Sequence, residues 1–442
     1  MKALDQSLQQ WLERLYARQS FGIKPGLEMT SALLAALGNP QSAFRIIHVA
    51  GTNGKGSVCA MLAAVLSASG RRTGLYTSPH LIDFNERIII DGQQISNEQL
   101  ALLARELDSA IMTAERQLGY RATFFEVTTA MAFEWFRRTG VEWAVVETGM
   151  GGRLDSTNTV VPEISVITSI ALDHQAYLGN RIEQIAFEKA GIIKKGIPVV
   201  TGGMPASALA VIRMTAAERT ARHYHAPAMV KVNVVDGDEQ SILPLINVEY
   251  AGYRLTCRSP LAGLHQLNNL QTVVMGLEVL AQRGLLAAEP DKWCTALAGV
   301  ELPARCQMLA AGPPPLWLDG GHNPEAAAGL AATLGRAYPG RPLALVLGMS
   351  ADKDVEGYLD QLKHMTGIVH ATAADNARAI NARALAARVE KTGLPVCAGP
   401  LVDALASAVE WAGQNNGVVL VCGSLFLAGD FLRLRQSATK RD

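Results

Sequence analysis

A glycine-rich segment, Gly51–Ser57, combines the residue types that bind the phosphates of a nucleotide. Several backbone N–H groups must converge on the phosphate oxygens, and glycine lets the main chain approach that closely. Lys55 can neutralise phosphate charge, and the Ser57 hydroxyl can ligate Mg²⁺. The β-branched run Arg45–Ala50 precedes the segment and an apolar helical pattern follows it, so the sequence predicts a strand, a phosphate loop and a helix in that order.

This loop departs from the common G-x-x-x-x-G-K-[ST] pattern at two positions. Val49 occupies the place of the first glycine, and Gly56 stands between Lys55 and Ser57. A glycine-rich turn without function is the alternative, but the lysine and the flanking strand and helix favour nucleotide binding. The segment does not distinguish ATP from GTP.

Other residues with catalytic chemistry follow apolar runs or lie in turns. Glu147 ends one apolar run, His174 follows another, Ser78 lies in a turn, and Lys189 lies near the end of a predicted helix. Ligands collect at the carboxyl ends of parallel strands, so these groups could surround a bound nucleotide. Each also has a structural alternative, respectively an exposed strand-end carboxylate, a structural histidine, a turn serine and a solvated lysine.

The elements that must position these groups show the periodicities of an α/β protein. Strand-like runs alternate with helical patterns in the first part of the chain, and a second alternating set follows Pro303. This alternation predicts parallel sheets covered by helices. The individual predictions are helices over 4–16, Thr30–Leu37 with Thr30 as N-cap and Gly38 as C-cap, Arg181–Ala190 and Asn268–Gln282, and strands over Val230–Val235 and Val248–Leu255.

The composition narrows the class of protein. Of 442 residues, 49% are hydrophobic and 18% are charged, which indicates a compact chain of about two domains. Forty basic and forty acidic residues cancel, so we expect small-molecule partners and neither nucleic acid nor a membrane. Six scattered cysteines, no signal-peptide pattern and no apolar run of about 18 residues predict a cytoplasmic protein.

Taken together, the motifs resemble those of the folate branch of the Mur ligase superfamily. The extra Gly56 in the phosphate loop points to that branch. The resemblance covers nearly the whole chain and is carried in order by the segments Tyr76–Leu81, Phe124–Ala130, Glu147–Asn158, Ile170–His174, Ile185–Ile192, Leu264–Asn269 and Asp319–Pro324.

This resemblance implies an α/β fold in two parts. The first is a P-loop ATPase domain with a parallel central sheet over residues 1–300, and the second is a smaller Rossmann-like domain over residues 301–442, with the active site in the cleft between them. The implied reaction transfers the γ-phosphoryl group of ATP to a carboxylate, and the amino group of L-glutamate attacks the acyl phosphate. The implied acids are 7,8-dihydropteroate and the γ-carboxyl of folylglutamates.

The resemblance also implies ATP and Mg²⁺ as cofactors, with Mg²⁺ at two sites and K⁺ as a further candidate. It assigns catalytic roles to Lys55, Glu147, His174 and Lys189, with carbamylation of Lys189 as a hypothesis. The implied nucleotide contacts are Gly54, Lys55, Gly56, Ser57, Asn268, Arg305, Asp319 and His322. The implied metal ligands are Ser57, Ser78, Glu147, His174 and Lys189.

For the acid substrate, the resemblance implies contacts in three segments. They are Lys24, Pro25, Gly26 and Leu27, then Ala122, Thr123, Phe124 and Phe125, and finally Arg153, Leu154 and Asp155. Phe124 and Phe125 could stack on a flat heterocycle, although an aromatic pair entering an apolar helix is more often part of the core. The turn Ala351–Asp354 is similar to a family signature that helps bind glutamate. Family members usually have glycine at the position of Ala304, so we expect a local backbone difference before Arg305.

Several rival interpretations stay open. A ligase of the same family could act on folylglutamates alone, or on a different acid. From another class, the chain could be a P-loop switch that binds nucleotide and signals through a partner, although the acid-and-histidine set disfavours it. We expect a monomer.

Overall fold

The computed structural model describes residues 2–21, 26–238 and 241–439. They form two compact units. The first contains the described residues up to Ala171 together with Gln175–Lys231 and Asn269–Leu297, and the second contains Leu172–His174, Val232–Asn268 and the described residues from Ala298 onwards. The predicted domains, 1–300 and 301–442, stay a prediction, and the compact units divide the chain differently at 172–174 and 232–268.

An eight-stranded sheet forms the centre of the first unit, in the order β4-β3-β2-β5-β1-β6-β7-β8. Its strands are β1 Arg45–Ala50, β2 Thr73–Tyr76, β3 Ile88–Ile90, β4 Gln93–Gln94, β5 Trp143–Glu147, β6 Ile164–Ile167, β7 Val199–Thr201 and β8 His223–His225. The pairs from β2 to β8 are parallel, and β3 and β4 join antiparallel. The central strand β1 is buried except for Arg45, as expected where helices cover both faces of a sheet.

Helices surround this sheet. They are α1 Lys2–Ala17, α2 Glu28–Ala36, α3 Lys55–Ala68, α4 Asn97–Leu118, α5 Phe124–Arg138, α6 Gln175–Leu178, α7 Ile182–Ala190, α8 Ala206–Glu218, α9 Ala226–Met229, α10 His265–Gln282 and α11 Pro290–Ala298. The predicted helices over 4–16, Arg181–Ala190 and Asn268–Gln282 are confirmed within a few residues. Among the described residues, no helix combines the length and the apolar character that crossing a membrane requires.

The start of α2 differs from the prediction. The helix begins at Glu28, after Leu27, so Thr30 lies inside the first turn and is buried instead of capping the helix. An acidic residue in the first turn complements the helix dipole, which allows Glu28 to start the helix. Gly38 follows the helix with a φ of +79°, as predicted for its C-terminal end.

A three-stranded sheet belongs to the second unit, in the order β11-β10-β9. Its strands are β9 Lys231–Val234, β10 Leu245–Tyr250 and β11 Tyr253–Arg258. The predicted strand Val248–Leu255 is wrong, because the chain reverses within it at Ala251 and Gly252, which both have positive φ. Apolar residues lie on both sides of this tight turn, so in the sequence the two strands β10 and β11 look like one continuous strand.

A six-stranded sheet forms the core of the second unit, in the order β12-β13-β17-β14-β15-β16. Its strands are β12 Gln307–Ala310, β13 Leu316–Leu318, β14 Leu343–Leu347, β15 Thr366–Ala371, β16 Val396–Ala398 and β17 Val418–Cys422. All neighbours are parallel except β12 and β13. The helices are α12 Pro324–Ala337, α13 Val355–Leu362, α14 Ala382–Glu390, α15 Leu401–Gln414 and α16 Leu425–Thr439. The predicted second α/β set is confirmed.

Candidate functional site

The glycine-rich segment forms a loop between β1 and α3 whose backbone requires glycine at two places. Gly51 has a φ of +157° and Gly54 a φ of +81°, both outside the range of ordinary side chains. A Cβ on Gly54 would lie 2.2 Å from the Asn269 Oδ1 atom. Both the backbone angle and the lack of space for a side chain therefore require glycine at position 54. Asn269 packs against the loop, whereas the predicted nucleotide contact was its neighbour Asn268.

The end of β6 holds this loop in place. The Thr52 N–H donates to the Ser169 carbonyl at 2.8 Å, and the Thr52 hydroxyl donates to the Ala171 carbonyl at 3.2 Å. The Thr168 hydroxyl donates to the Asn53 carbonyl at 2.6 Å. Bonds of this kind organise a loop before a ligand arrives. The sequence prediction missed these residues, and the polar run directly after an apolar strand was the signal that could have found them.

Two lysines meet at the start of the loop. The Lys55 ammonium donates to the carbonyls of Gly51 and Thr52, each at 3.2 Å, and the Lys189 ammonium donates to the Gly51 carbonyl at 2.7 Å. Lys189 is only 4% exposed, because α7 carries it into the unit. Positive charge is thus concentrated at the loop, where it would stabilise the oxygens of a phosphoryl group.

Oxygen donors of the kind Mg²⁺ prefers lie at neighbouring positions of the sheet. Glu147 ends β5 and is buried, and its Oε2 atom accepts the Ser78 N–H at 3.1 Å. Ser57 is buried in the first turn of α3. Because β5 lies between β1 and β2, Glu147 is carried to the same sheet edge as the loop. A carboxylate and two hydroxyls fit the hard-oxygen preference of Mg²⁺, which usually keeps several waters.

The predicted second metal site, to which the resemblance assigns His174 and a carbamylated Lys189, has a different set of donor groups. Within residues 2–21, 26–238 and 241–439, no group of three or more His, Cys, Asp or Glu side chains is arranged to hold a metal. Lys189 is an amine that donates to the Gly51 carbonyl, and a cation is not a metal ligand. Lys189 fits a metal site only after conversion to a carboxylate-like group.

Asp155, a predicted substrate contact, has structural partners. Its carboxylate accepts the N–H groups of Met150 at 2.9 Å and Thr157 at 3.0 Å. Burial raises the pKa of Asp155, although these hydrogen bonds act in the opposite direction and lower it. The His48 Nε2 atom lies 2.8 Å from the Thr157 hydroxyl, and burial lowers the pKa of His48 to about 3. This network joins β1 to the loop after Glu147, and Leu154 lies half-buried beside it.

The residues at the start of α5 also have partners in the protein. The Phe124 ring stacks on Tyr16 with centroids 5.6 Å apart and an angle of 15°. A Cβ on Gly149 would lie 2.5 Å from the Phe125 ring, so a glycine there lets the loop approach Phe125. Thr123 caps α5 by accepting the Glu126 N–H. These are core and capping roles, and their predicted substrate contacts stay a prediction.

The other predicted substrate residues range from the buried Ala122 to the exposed Arg153. The Ala122 carbonyl accepts a hydrogen bond from the Arg18 guanidinium at 2.8 Å. Arg153 forms an ion pair with Glu188 at 2.8 Å, and its side chain is partly exposed. Lys24–Pro25 lies outside the described residues, whereas Gly26 and Leu27 directly precede α2.

In the second unit, Asp173 organises residues that are distant in sequence. Its carboxylate lies 2.6 Å from the Lys353 ammonium and 3.3 Å from the His322 Nε2 atom, and it accepts the His174 N–H at 2.8 Å. Burial alone would raise the pKa of Asp173, but the hydrogen bond and charge of His322 and the charges of His174 and Lys353 hold it well below its usual range. Lys353 therefore binds a carboxylate of the protein itself, although its turn was predicted to help bind glutamate.

Asp319 fixes the loop that contains Arg305. Its carboxylate accepts the Cys306 N–H at 2.7 Å and the Gly321 N–H at 2.6 Å. Ala304 and Cys306, on either side of Arg305, have φ values of +56° and +48°. Glycine adopts positive φ more readily than alanine does, and the expected backbone difference before Arg305 stays a prediction.

The predicted residues thus fall into two groups. The first unit brings together Gly54, Lys55, Gly56, Ser57, Ser78, Glu147 and Lys189 around one sheet edge. The second unit contains His174, Asn268, Arg305, Asp319 and His322. Their assignments as ligands stay predictions.

Comparison with known proteins identifies relatives of the whole chain. The family description "Mur ligase middle domain" matches residues 49–276, and "Mur ligase, glutamate ligase domain" matches residues 304–425. A Bacillus subtilis dihydrofolate synthase/folylpolyglutamate synthase is 34% identical over 420 residues, which cover 94% of this chain and 96% of the relative. The Escherichia coli protein of the same name is 33% identical over 94% of this chain and 93% of its own.

Solved structures agree with this similarity. A Mycobacterium tuberculosis folylpolyglutamate synthase complexed with ADP has a TM-score of 0.89 and 34% identity, and the match covers 98% of both chains. An E. coli structure in complex with DHPP and ADP has a TM-score of 0.85 and 29% identity over 98% of both chains. The predicted α/β fold is confirmed.

Proposed function

The chain belongs to the Mur ligase family and is an ATP-dependent ligase, and we propose that it joins L-glutamate both to 7,8-dihydropteroate and to the γ-carboxyl of folylglutamates. One observation carries the substrate proposal, which is the near-full-length similarity to bacterial relatives whose names contain both activities. The phosphate loop with its two converging lysines supports the same chemistry.

The reaction must activate a carboxylate before an amine can attack it. The γ-phosphoryl group of ATP passes to the carboxylate, and ADP leaves. The amino group of glutamate then forms the amide bond, and phosphate leaves from the acyl phosphate. Both steps shift negative charge among oxygens, so the Lys55 cation beside the Gly51 carbonyl would stabilise the transferring group. The unmodified Lys189 amine would add positive charge there, whereas a carbamylated Lys189 would be a metal ligand instead.

Mg²⁺ fits the first of the two predicted metal sites. Ser57, Ser78 and Glu147 would hold it, and when bound it would supply charge neutralisation at the phosphate oxygens. The Ser78 N–H fixes one carboxylate oxygen of Glu147, so the protein orients this ligand itself. K⁺ remains a further candidate cation.

A second metal site would require carbamylation of Lys189, with His174 as its other proposed ligand. Carbamylation adds carbon dioxide to the amine and replaces a positive charge by a negative one. We expect ¹³C-bicarbonate to give a carbamate signal in NMR spectra of the wild type, and Lys189→Met to remove it. Lys194→Met is the matched control, because Lys194 is also partly buried and donates to a carbonyl, that of Asn158. The absence of a carbamate signal from the wild type at high bicarbonate would contradict the hypothesis.

Product analysis tests the proposed substrates. We expect phosphate release from ATP to require both L-glutamate and a pteroate acid, because the acyl phosphate forms on the acid. In parallel assays with dihydropteroate and a reduced monoglutamyl folate, mass spectrometry should detect a product one glutamate heavier in each. Product from the folate alone would indicate a monofunctional folylpolyglutamate synthase. Equal ATP hydrolysis without either substrate would indicate a nucleotide switch.

The remaining expectations concern partners and location. We propose small molecules as the only substrates, a monomer as the working form and the cytoplasm as the compartment. Size-exclusion chromatography with light scattering would test the monomer, because a dimer would have twice the mass of 47.2 kDa.

A further inference from the structure

Arg87 is a buried cation for which the described residues supply no counter-ion. It is the last residue of the short helix Phe84–Arg87, and it is 5% exposed. The Nε–H group donates to the His80 Nδ1 atom at 2.7 Å. Across the part of the chain that the structure describes, the terminal guanidinium nitrogens have no hydrogen-bond acceptor and no carboxylate within ion-pair distance. Burial lowers the pKa of Arg87.

The neighbouring carboxylates bind other groups. Glu86 accepts the N–H groups of Leu81, Ile82 and Asp83 at distances of 2.6 to 2.8 Å. Glu147 accepts the Ser78 N–H. An arginine keeps its charge even when buried, and a buried charge is costly unless it is paired. Because the described residues leave the terminal N–H groups of Arg87 without an acceptor, these groups mark a position where a ligand oxygen could bind.

Aromatic rings surround this guanidinium. The Arg87 Cζ atom lies 5.1 Å from the Phe124 ring centroid and 5.9 Å from that of Phe84. The two phenylalanine rings meet edge to face at 82°. Tyr16 covers Phe124, and its hydroxyl lies 3.4 Å from the His80 Nε2 atom. Such walls suit a flat, weakly polar ring better than a hydrated ion.

The backbone connects this cluster to the candidate magnesium site. The Arg87 carbonyl accepts the Thr77 N–H at 3.2 Å, and Thr77 directly precedes Ser78. We infer that Arg87 donates its terminal N–H groups to an acceptor oxygen on the flat ring of the acid substrate, with Phe84, Phe124 and His80 beside that ring. This inference rests on the proposed function, because it assumes that the acid carries a fused heterocycle.

The experiment compares two acids that differ at the ring atom in question. Pteroate carries a carbonyl oxygen at position 4 of the ring, and 4-amino-4-deoxypteroate carries an amino group there, which donates instead of accepting. We expect the wild type to prefer pteroate in kcat/KM for glutamate addition, and Arg87→Met to reduce this preference about tenfold, because a hydrogen bond from a charged donor is lost. A general loss of structure would lower both values and leave their ratio unchanged.

The outcomes separate the inference from the proposed function. No product in the wild type from either acid or from 7,8-dihydropteroate would refute the proposed function, whereas product with an unchanged preference in the variant would refute only the role of Arg87. Arg222→Met is the matched control, since Arg222 also lies over an aromatic ring, 4.9 Å from the centroid of Tyr224. If Arg87→Met does not fold, Arg87→Lys decides by the same ratio.

Discussion

Lys55→Ala is expected to lower kcat/KM for ligation by a factor of about 10²–10³, as the loss of one positioned charge at a transition state commonly does. The ammonium of Lys55 stands at the first turn of α3 and contacts the carbonyls of Gly51 and Thr52. Its removal takes a charge from the phosphate loop and leaves no cavity in the core. Phosphate release in the presence of L-glutamate and pteroate measures the loss.

The thermal transition should stay close to that of the wild type, because Lys55 is only half-buried and is not one of the core side chains. Lys195→Ala is the control, because Lys195 is exposed and its substitution changes the net charge of the protein by the same amount. If Lys55→Ala abolished the folded transition, the lysine would be structural and its catalytic assignment would be refuted. Normal ligation in the variant would refute it as well.

Local sequence was enough to predict the phosphate loop, because the loop's function depends on adjacent residues. Gly51 and Gly54 have the backbone angles that only glycine tolerates well, and Lys55 begins the next helix. The partners that hold the loop were not predictable in the same way. Thr168 and Asn269 lie more than a hundred residues away, and only the pairing of β1 with β6 and the packing of α10 bring them close.

The surroundings of the predicted substrate residues were less predictable from local sequence than the phosphate loop. The resemblance implied that Phe124 and Asp155 contact a ligand. The structure adds protein partners for both side chains, and the ligand contacts stay predictions. Phe124 stacks on Tyr16, and Asp155 binds backbone N–H groups within a network that reaches His48. Whether an aromatic or acidic residue faces a ligand depends on which distant side chains fill the space around it. The fold class was predictable because hydrophobic periodicity is local.

Asp173 was missed for a related reason. A histidine after a strand is more often structural than a ligand, and only the resemblance selected His174 as a metal ligand. No role was assigned to the preceding aspartate. The importance of Asp173 follows from Lys353, which is 180 residues away, and from His322. A buried carboxylate with these partners is a structural centre of the second unit, and it holds the backbone of His174 at a φ of +50°.

Asp173→Asn is expected to destabilise the second unit by about 3–5 kcal/mol, the usual cost of removing one partner of a buried ion pair. Asp173 and Lys353 each have side chains only 9% exposed, so the substitution leaves a buried ammonium with only its longer contact to the Asp352 carboxylate, at 3.7 Å. Ligation should fall too, because His174 and His322 lose the group that orients them. Urea unfolding measures the stability, and Asp360→Asn at an exposed position is the control.

A double substitution separates the ion pair from its surroundings. Asp173→Asn with Lys353→Met removes both charges, so it should destabilise the unit less than the sum of the single changes. The pH dependence has a defined sign. Because folding lowers the pKa of Asp173, its contribution is present above about pH 4, where unfolded aspartates titrate, and is lost as the pH falls toward the folded pKa. Asp173→Asn should therefore weaken the acid sensitivity of the protein, and an unchanged acid profile with additive single effects would show that the pair does not stabilise the unit.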